Sequence, residues 1–155
     1  MIGDSMLGEL TPEQINAVLF NEVVGRIGCC GDGRTYIVPI TYVFDGEAVY
    51  GHSADGLKIR MMRANPRVCF EVDQRENLAN WQSVIAWGVF EELHGQEAFD
   101  ALQIFVARLM PLVRSETLRL PNDPSRATAM GGANTPKNII FRIQLTERTG
   151  RFEKR

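Results

Sequence analysis

The chain has 155 residues, 45% of them hydrophobic and 23% charged, and 17 Lys and Arg against 19 Asp and Glu give a formal net charge of −2. A chain of roughly 150 residues buries about 68–70% of its unfolded surface, so one domain can hold a core without disulfides or a structural metal. The charge balance leaves no excess positive field for a nucleic-acid backbone or an anionic membrane, which excludes both as expected partners. Cys29, Cys30 and Cys69 are odd in number and lack C-x-x-C spacing, which speaks against a secreted disulfide framework and against a zinc site. The opening MIGDSMLGEL has neither the basic start nor the apolar stretch of a signal peptide, and no apolar run approaches the roughly 18 residues of a membrane span. A soluble, cytoplasmic protein is expected.

Leu10-Thr-Pro-Glu-Gln-Ile15 reads as a helix start: Thr11 can cap, Pro12 suits the first helical position, and Gln14 completes a capping box. Ile15, Val18 and Leu19 then repeat at helical spacing up to a turn at Asn21. The next residues change character to β, with runs at Val23–Cys30, Tyr36–Phe44 and Ala48–His52. Gly31-Asp-Gly33 and Asp45-Gly46 separate these runs, and Asp-Gly between two β-rich segments is a strong hairpin signal. A helix over Leu57–Asn65 is stopped by Pro66, and Arg67–Asp73 alternates like a half-buried strand. A long β run covers Trp81–Leu93. Phe99, Leu102, Val106 and Leu109 then form the expected apolar stripe of a helix over Gln96–Met110. Residues 114–137 are rich in Pro, Gly and polar side chains and are expected as a long loop, either a surface loop or a lid. The last strand is expected at Asn138–Thr146, followed by a polar tail. Short connections between strands favour antiparallel pairing. About six strands with three inserted helices predict a mainly β fold, a small antiparallel barrel or strongly curled sheet.

Chemistry concentrates at Gly51-His-Ser-Ala-Asp-Gly-Leu-Lys58, where a strand ends, a polar turn follows and a helix begins with a lysine in its first turn. Unpaired N–H groups and the positive end of the helix dipole make such a start an anion site, to which Ser53 can add a hydroxyl, Lys58 a full charge and His52 a donor. The alternative is that Asp55 or Ser53 caps the helix and Lys58 is solvated. A triphosphate-binding loop does not fit, because the lysine is one position late, no Ser or Thr follows it, and the setting is antiparallel. Pro39, inside a strand-like run, marks an edge, a bulge or a place where a planar ligand replaces a partner strand. Arg60, Arg63 and Arg67 can extend the anion site or form an exposed helix face. Trp81, Trp87, Tyr36, Tyr42 and Tyr50 offer aromatic surface whose default use is packing. Cys29 and Cys30 read as small buried apolar groups, and Glu71 and Asp73 as a solvated strand face.

Taken in order, Gly25-Arg-Ile-Gly28, Val38-Pro-Ile-Thr-Tyr42, Phe44-Asp-Gly46, Val49-Tyr-Gly-His-Ser53, Gly56-Leu-Lys58, Arg63-Ala-Asn-Pro-Arg-Val68, Trp81-Gln-Ser-Val84, Gly88 and Thr149-Gly150-Arg151 form a distinctive series. It resembles the pyridoxamine 5′-phosphate oxidase-like family of FMN-binding split β-barrels, nearest its nitroimidazole-resistance-type flavoproteins. The resemblance covers a single domain over residues 10–151. It implies a homodimer with FMN between the subunits, lined by Val38, Pro39 and Ile40, held at its phosphate by His52, Ser53 and Lys58, and contacted by Ser83, Val84 and Tyr50. It also implies an oxidoreductase passing electrons from a reductant to a small organic acceptor such as a nitro compound, with the substrate unassigned. A non-catalytic flavin-binding or sensing protein, or the same barrel carrying deazaflavin F420 or haem, is the alternative. The arginine-rich C-terminal substrate signature of the pyridoxamine phosphate oxidases proper is not found, which leaves vitamin B6 oxidation unsupported.

Overall fold

The computed structural model describes residues 4–112 and 138–155; the 114–137 segment expected as a loop or lid lies outside them. Among the described residues, three α-helices and eight strands follow in chain order: β1 (Met6–Glu9), α1 (Pro12–Asn21), β2 (Val24–Gly31), β3 (Arg34–Thr41), β4 (Val43–Phe44), β5 (Ala48–Ala54), α2 (Leu57–Ala64), β6 (Arg67–Asn77), β7 (Asn80–Glu92), α3 (Gly95–Leu109) and β8 (Asn138–Lys154). The strands form one antiparallel sheet in the order β3-β2-β6-β7-β8-β5-β4, with β1 added to the far end of β8.

The capping box forms as expected: Thr11 Oγ1 accepts from the Gln14 N–H at 3.3 Å, and Gln14 Oε1 accepts from the Thr11 N–H at 2.9 Å. Between β2 and β3, Asp32 and Gly33 both have positive φ (50° and 73°), the geometry of a two-residue primed turn.

The run Tyr36–Phe44 is not one strand. It breaks at Tyr42, with β3 pairing β2 before it and β4 pairing β5 after it. The two ends of the sheet are therefore consecutive in the chain, and the sheet curls until Tyr42 joins them. A covalent step replaces a ladder there, so the barrel is split. Tyr42 is fully buried, meets Phe70 edge-on with ring centroids 4.8 Å apart, and donates its hydroxyl to the Leu19 carbonyl at 2.8 Å. Leu19 lies in the last turn of α1, where carbonyls lack helical partners; Arg108 of α3 donates to the next two, Phe20 and Asn21.

Three expectations need correction. The polar tail after Thr146 is strand: β8 runs 17 residues, pairing β7 on one side and β5 then β1 on the other. Its Gly150 lets Leu10 and Ile15 pack onto the backbone, where a Cβ would approach them to 2.7–2.8 Å. The buried face of α3 is Ala101, Phe105 and Leu109, because Phe105 and Leu109 form a second small core with Val43, and this leaves Phe99 and Val106 exposed. Cys30 is exposed, since its side chain faces away from the core that takes Cys29.

Tyr42→Phe keeps the ring but leaves the Leu19 carbonyl buried without its donor. It is expected to destabilise the protein by about 1–3 kcal/mol, read as a lower denaturant midpoint at unchanged slope.

Candidate functional site

The strand, turn and helix around Lys58 sit at the split. β5 ends at Ala54, Asp55 and Gly56 make the turn, and α2 begins at Leu57. Ile59 and Met62 bury one face of α2 in the main core, and Asn65 just past its end donates from Nδ2 to the Cys30 carbonyl at 3.2 Å, tying the helix to β2.

The N-terminus of α2 has no side-chain cap. Gly56 occupies the cap position, and neither Asp55 nor Ser53 bonds the first-turn N–H groups. Asp55 turns the other way, accepting from Arg63 Nη1 at 3.1 Å through both oxygens, while Arg63 forks onto Glu92 at 2.8 and 2.9 Å. Capping by Asp55 or Ser53 is thereby overturned, and Arg63 is committed to carboxylates. Ser53 spends its hydroxyl proton on the Ala54 carbonyl at 2.8 Å. Lys58 is half-buried with no hydrogen-bond or ion-pair partner among the described residues. Burial pushes its ammonium below the usual lysine range, against a small opposing pull from Cys29. His52 is half-buried too, with its ring edge-on to Phe105 of α3 at 5.3 Å. Burial, then the Lys58 charge, holds His52 below its ordinary value of 6.5, so it is neutral at pH 7. The cradle thus contains a neutral imidazole, a hydroxyl, an ammonium unpaired among the described residues, and a helix start with no side-chain cap.

β3 and β5 approach each other across the split without a ladder. Val38, Pro39 and Ile40 lie on β3, whose outer edge is unpaired, and Pro39 stands opposite Arg26 of β2. Pro39 is exposed, Val38 half-buried and Ile40 buried, so Ile40 faces the core. Tyr50 bonds Asp45 at 2.9 Å and packs against the small core of Phe105 and Leu109, whose Phe105 also meets His52. Ser83 and Val84 are not brought to this cradle. Ser83 lies near the start of β7, opposite Asp73 and Arg151, whereas the β5 residues beside the cradle pair with the part of β8 that meets the far end of β7. Val84 is fully buried.

Gly56 and Phe105 are the positions that sequence reasoning missed. The Asp-Gly-Leu order before α2 carried a signal, because glycine at a cap offers no side-chain acceptor. Nothing local marked Phe105, whose contact with His52 is made across 53 residues. Among the described residues no group of three or more His, Cys, Asp or Glu side chains is placed to hold a metal ion, and no helix is long and apolar enough to cross a membrane.

Fold and site together define an antiparallel split β-barrel with an uncapped helix start and a half-buried lysine at its seam. The pyridoxamine 5′-phosphate oxidase family model matches residues 11–152, and the chain belongs to that family. A Rhizobium meliloti protein of unassigned function is 29% identical over 147 residues, spanning 92% of each chain. Among solved structures, an FAD-binding protein of Mesorhizobium loti shares 28% identity and a TM-score of 0.70, covering 95% of this chain and 98% of its own. A candidate 5-nitroimidazole antibiotic resistance protein of Bacteroides thetaiotaomicron shares the fold at 17% identity and a TM-score of 0.69, over 97% of this chain and 89% of its own.

Because the folded state holds His52 below its unfolded value, the unfolded chain takes up that proton first as pH falls. Stability of the ligand-free protein should therefore decline as pH drops below about 6.5, and His52→Gln should flatten that part of a melting-temperature profile.

Proposed function

We propose that this chain is a flavoprotein that holds FMN at the split of its barrel. The observation that carries this reading is Lys58: a half-buried ammonium with no partner among the described residues, at a helix start with no side-chain cap. Leaving a charge half-desolvated and four N–H groups uncapped costs stability, and a phosphate dianion offsets both. His52 and Ser53 would donate to the same phosphate, the Ser53 hydroxyl after turning away from Ala54. Val38, Pro39 and Ile40 across the seam would flank the ring system with the unpaired edge of β3. The cradle offers donors for one terminal phosphate, since Arg63 is held by Asp55 and Glu92; a phosphate monoester such as FMN suits it better than a dinucleotide. The Mesorhizobium loti relative supports a flavin of some kind.

When bound, the flavin supplies electron or hydride transfer, and the protein's own groups bind, orient and shield it. The activity we assign is oxidoreduction, from a reductant to a small organic acceptor such as a nitro compound. Ser83 and Val84 stand near the start of β7, while the β5 residues of the cradle pair with the stretch of β8 that meets the far end of β7; we infer that Ser83 and Val84 join the cofactor across a homodimer with FMN between the subunits.

The purified protein should be yellow and release FMN on heating; a colourless protein that takes up neither added FMN nor FAD refutes the reading. Lys58→Ala should weaken FMN binding about tenfold or more, a charge-assisted contact being worth roughly 1.5–3 kcal/mol, and Ser53→Ala should weaken it less. Affinity unchanged in both variants would return the start of α2 to a purely structural role. Reduced protein should be reoxidised by a nitroaromatic faster than by oxygen alone. Light scattering should give twice the chain mass, and a monomer that still holds FMN would remove Ser83 and Val84 from the site.

A further inference from the structure

We propose that Arg63 is a positioning residue for phosphate recognition: it holds Asp55 out of the cradle, so that the site selects a flavin bearing a phosphate over the same flavin without one. This role rests on the flavin reading above and names what sets the selectivity of that same site. Asp55 directly precedes Gly56 at the cap of α2 and stands just ahead of Lys58, and Asp is among the best acceptors for the N–H groups of a first helical turn. By sequence position alone it would cap the helix or pair with the Lys58 ammonium. Either contact would set a carboxylate where a phosphate has to bind. Asp55 makes neither.

Helix geometry accounts for how Asp55 is drawn off. At about 100° per residue, Lys58 and Arg63 lie roughly 140° apart around α2, on opposite flanks of the face that Ile59 and Met62 bury. Arg63 is in the last turn, and because helical side chains lean toward the N-terminus, it reaches back along its own flank to Asp55. Its Nε and Nη2 fork onto the two oxygens of Glu92 at 2.8 and 2.9 Å, which leaves Nη1 to meet both Asp55 oxygens at 3.1 Å. Glu92 belongs to β7, opposite Phe141 of β8, and its side chain is only 18% exposed. The sheet thus fixes the guanidinium, and the guanidinium fixes Asp55 on the flank away from Lys58. Arg63 and Asp55 are 37% and 40% exposed, so their pair contributes modestly to stability. Its larger effect is on a neighbouring charge. A carboxylate released beside the cradle would repel a phosphate dianion and leave an uncharged ligand unaffected.

Fluorescence titration of the full chain with FMN, and with riboflavin as the counterpart lacking the phosphate, tests this role. The wild-type chain should bind FMN about tenfold or more tightly than riboflavin, as expected for charge-assisted phosphate contacts. Arg63→Gln should weaken FMN about tenfold or more and leave riboflavin unchanged, so that the preference collapses. Asp55→Ala alone should keep the wild-type FMN affinity. Combined with Arg63→Gln it should restore the preference, because the carboxylate that Arg63 restrains is gone. Arg63→Lys keeps a charge but cannot fork onto Glu92 while holding Asp55, and it should recover the preference only in part. Equal loss of FMN and riboflavin in Arg63→Gln, or a double variant no better than Arg63→Gln, would mark a purely structural role and overturn the proposal. Unchanged FMN affinity in Arg63→Gln would overturn it too, while leaving the flavin reading standing. A wild-type chain that binds neither flavin overturns that reading and this role with it.

Discussion

The structure depends on how the sheet is closed at Tyr42. The strands on either side of this residue belong to opposite ends of one sheet, so the chain must leave one ladder and enter another within a single step. An unpaired backbone at that step would be costly if buried. Tyr42 meets the cost in two ways: its own N–H bonds the Val23 carbonyl at 2.9 Å, and its hydroxyl satisfies a carbonyl at the end of α1. The same side chain thereby seats the first helix and fixes where the barrel opens. Val38, Pro39 and Ile40 have an unpaired edge to present because the closure is covalent there and not a ladder.

At that opening, the ion pairs of Arg63 leave the start of α2 without internal neutralisation by Asp55. Asp55 is adjacent to the start of α2 and is the residue that could cancel both the dipole and Lys58. Arg63, two turns further on, draws it away and is itself shared with Glu92. This three-residue arrangement costs little, since exposed ion pairs contribute modestly, yet it leaves Lys58 without a partner among the described residues. Burial on one side and Phe105 against His52 on the other hold these groups in a partly dehydrated setting, where a charged contact is worth more than in water.

The two faces of the sheet serve different ends through the same alternation. Ile27, Phe70, Val84, Ala86 and Phe90 point inward and build the core, while Ile85, Trp87 and Val89 point outward from the same strand as three of them. A core that needed only one apolar face would have polar residues at those outward positions.

Much of this was legible in the residues themselves. The capping box of α1, the Asp32-Gly33 turn, the helix stopped by Pro66 and the alternation of β6 and β7 are local, governed by side chains within a few positions of one another. The cradle was legible for the same reason: His52, Ser53, Gly56 and Lys58 are close in sequence, so a strand ending before a helix start places them together without help from the rest of the chain. Tertiary structure alone decided what depends on distant partners. The polar ending became a strand because β7, β5 and β1 offered ladders to both its edges, which no periodicity within it reveals. The face of α3 rotated to Phe105 because Val43 and Leu109 form a pocket there, and the run through Tyr42 broke because two sheet ends had to meet. Whether Asp55 caps α2 or leaves it open was likewise undecidable locally, since the deciding groups, Arg63 and Glu92, reach it from a later turn of the helix and from the end of β7. Short-range pattern fixed the elements and the chemistry each carries, and long-range packing and ion pairing settled which of those groups are left free to act.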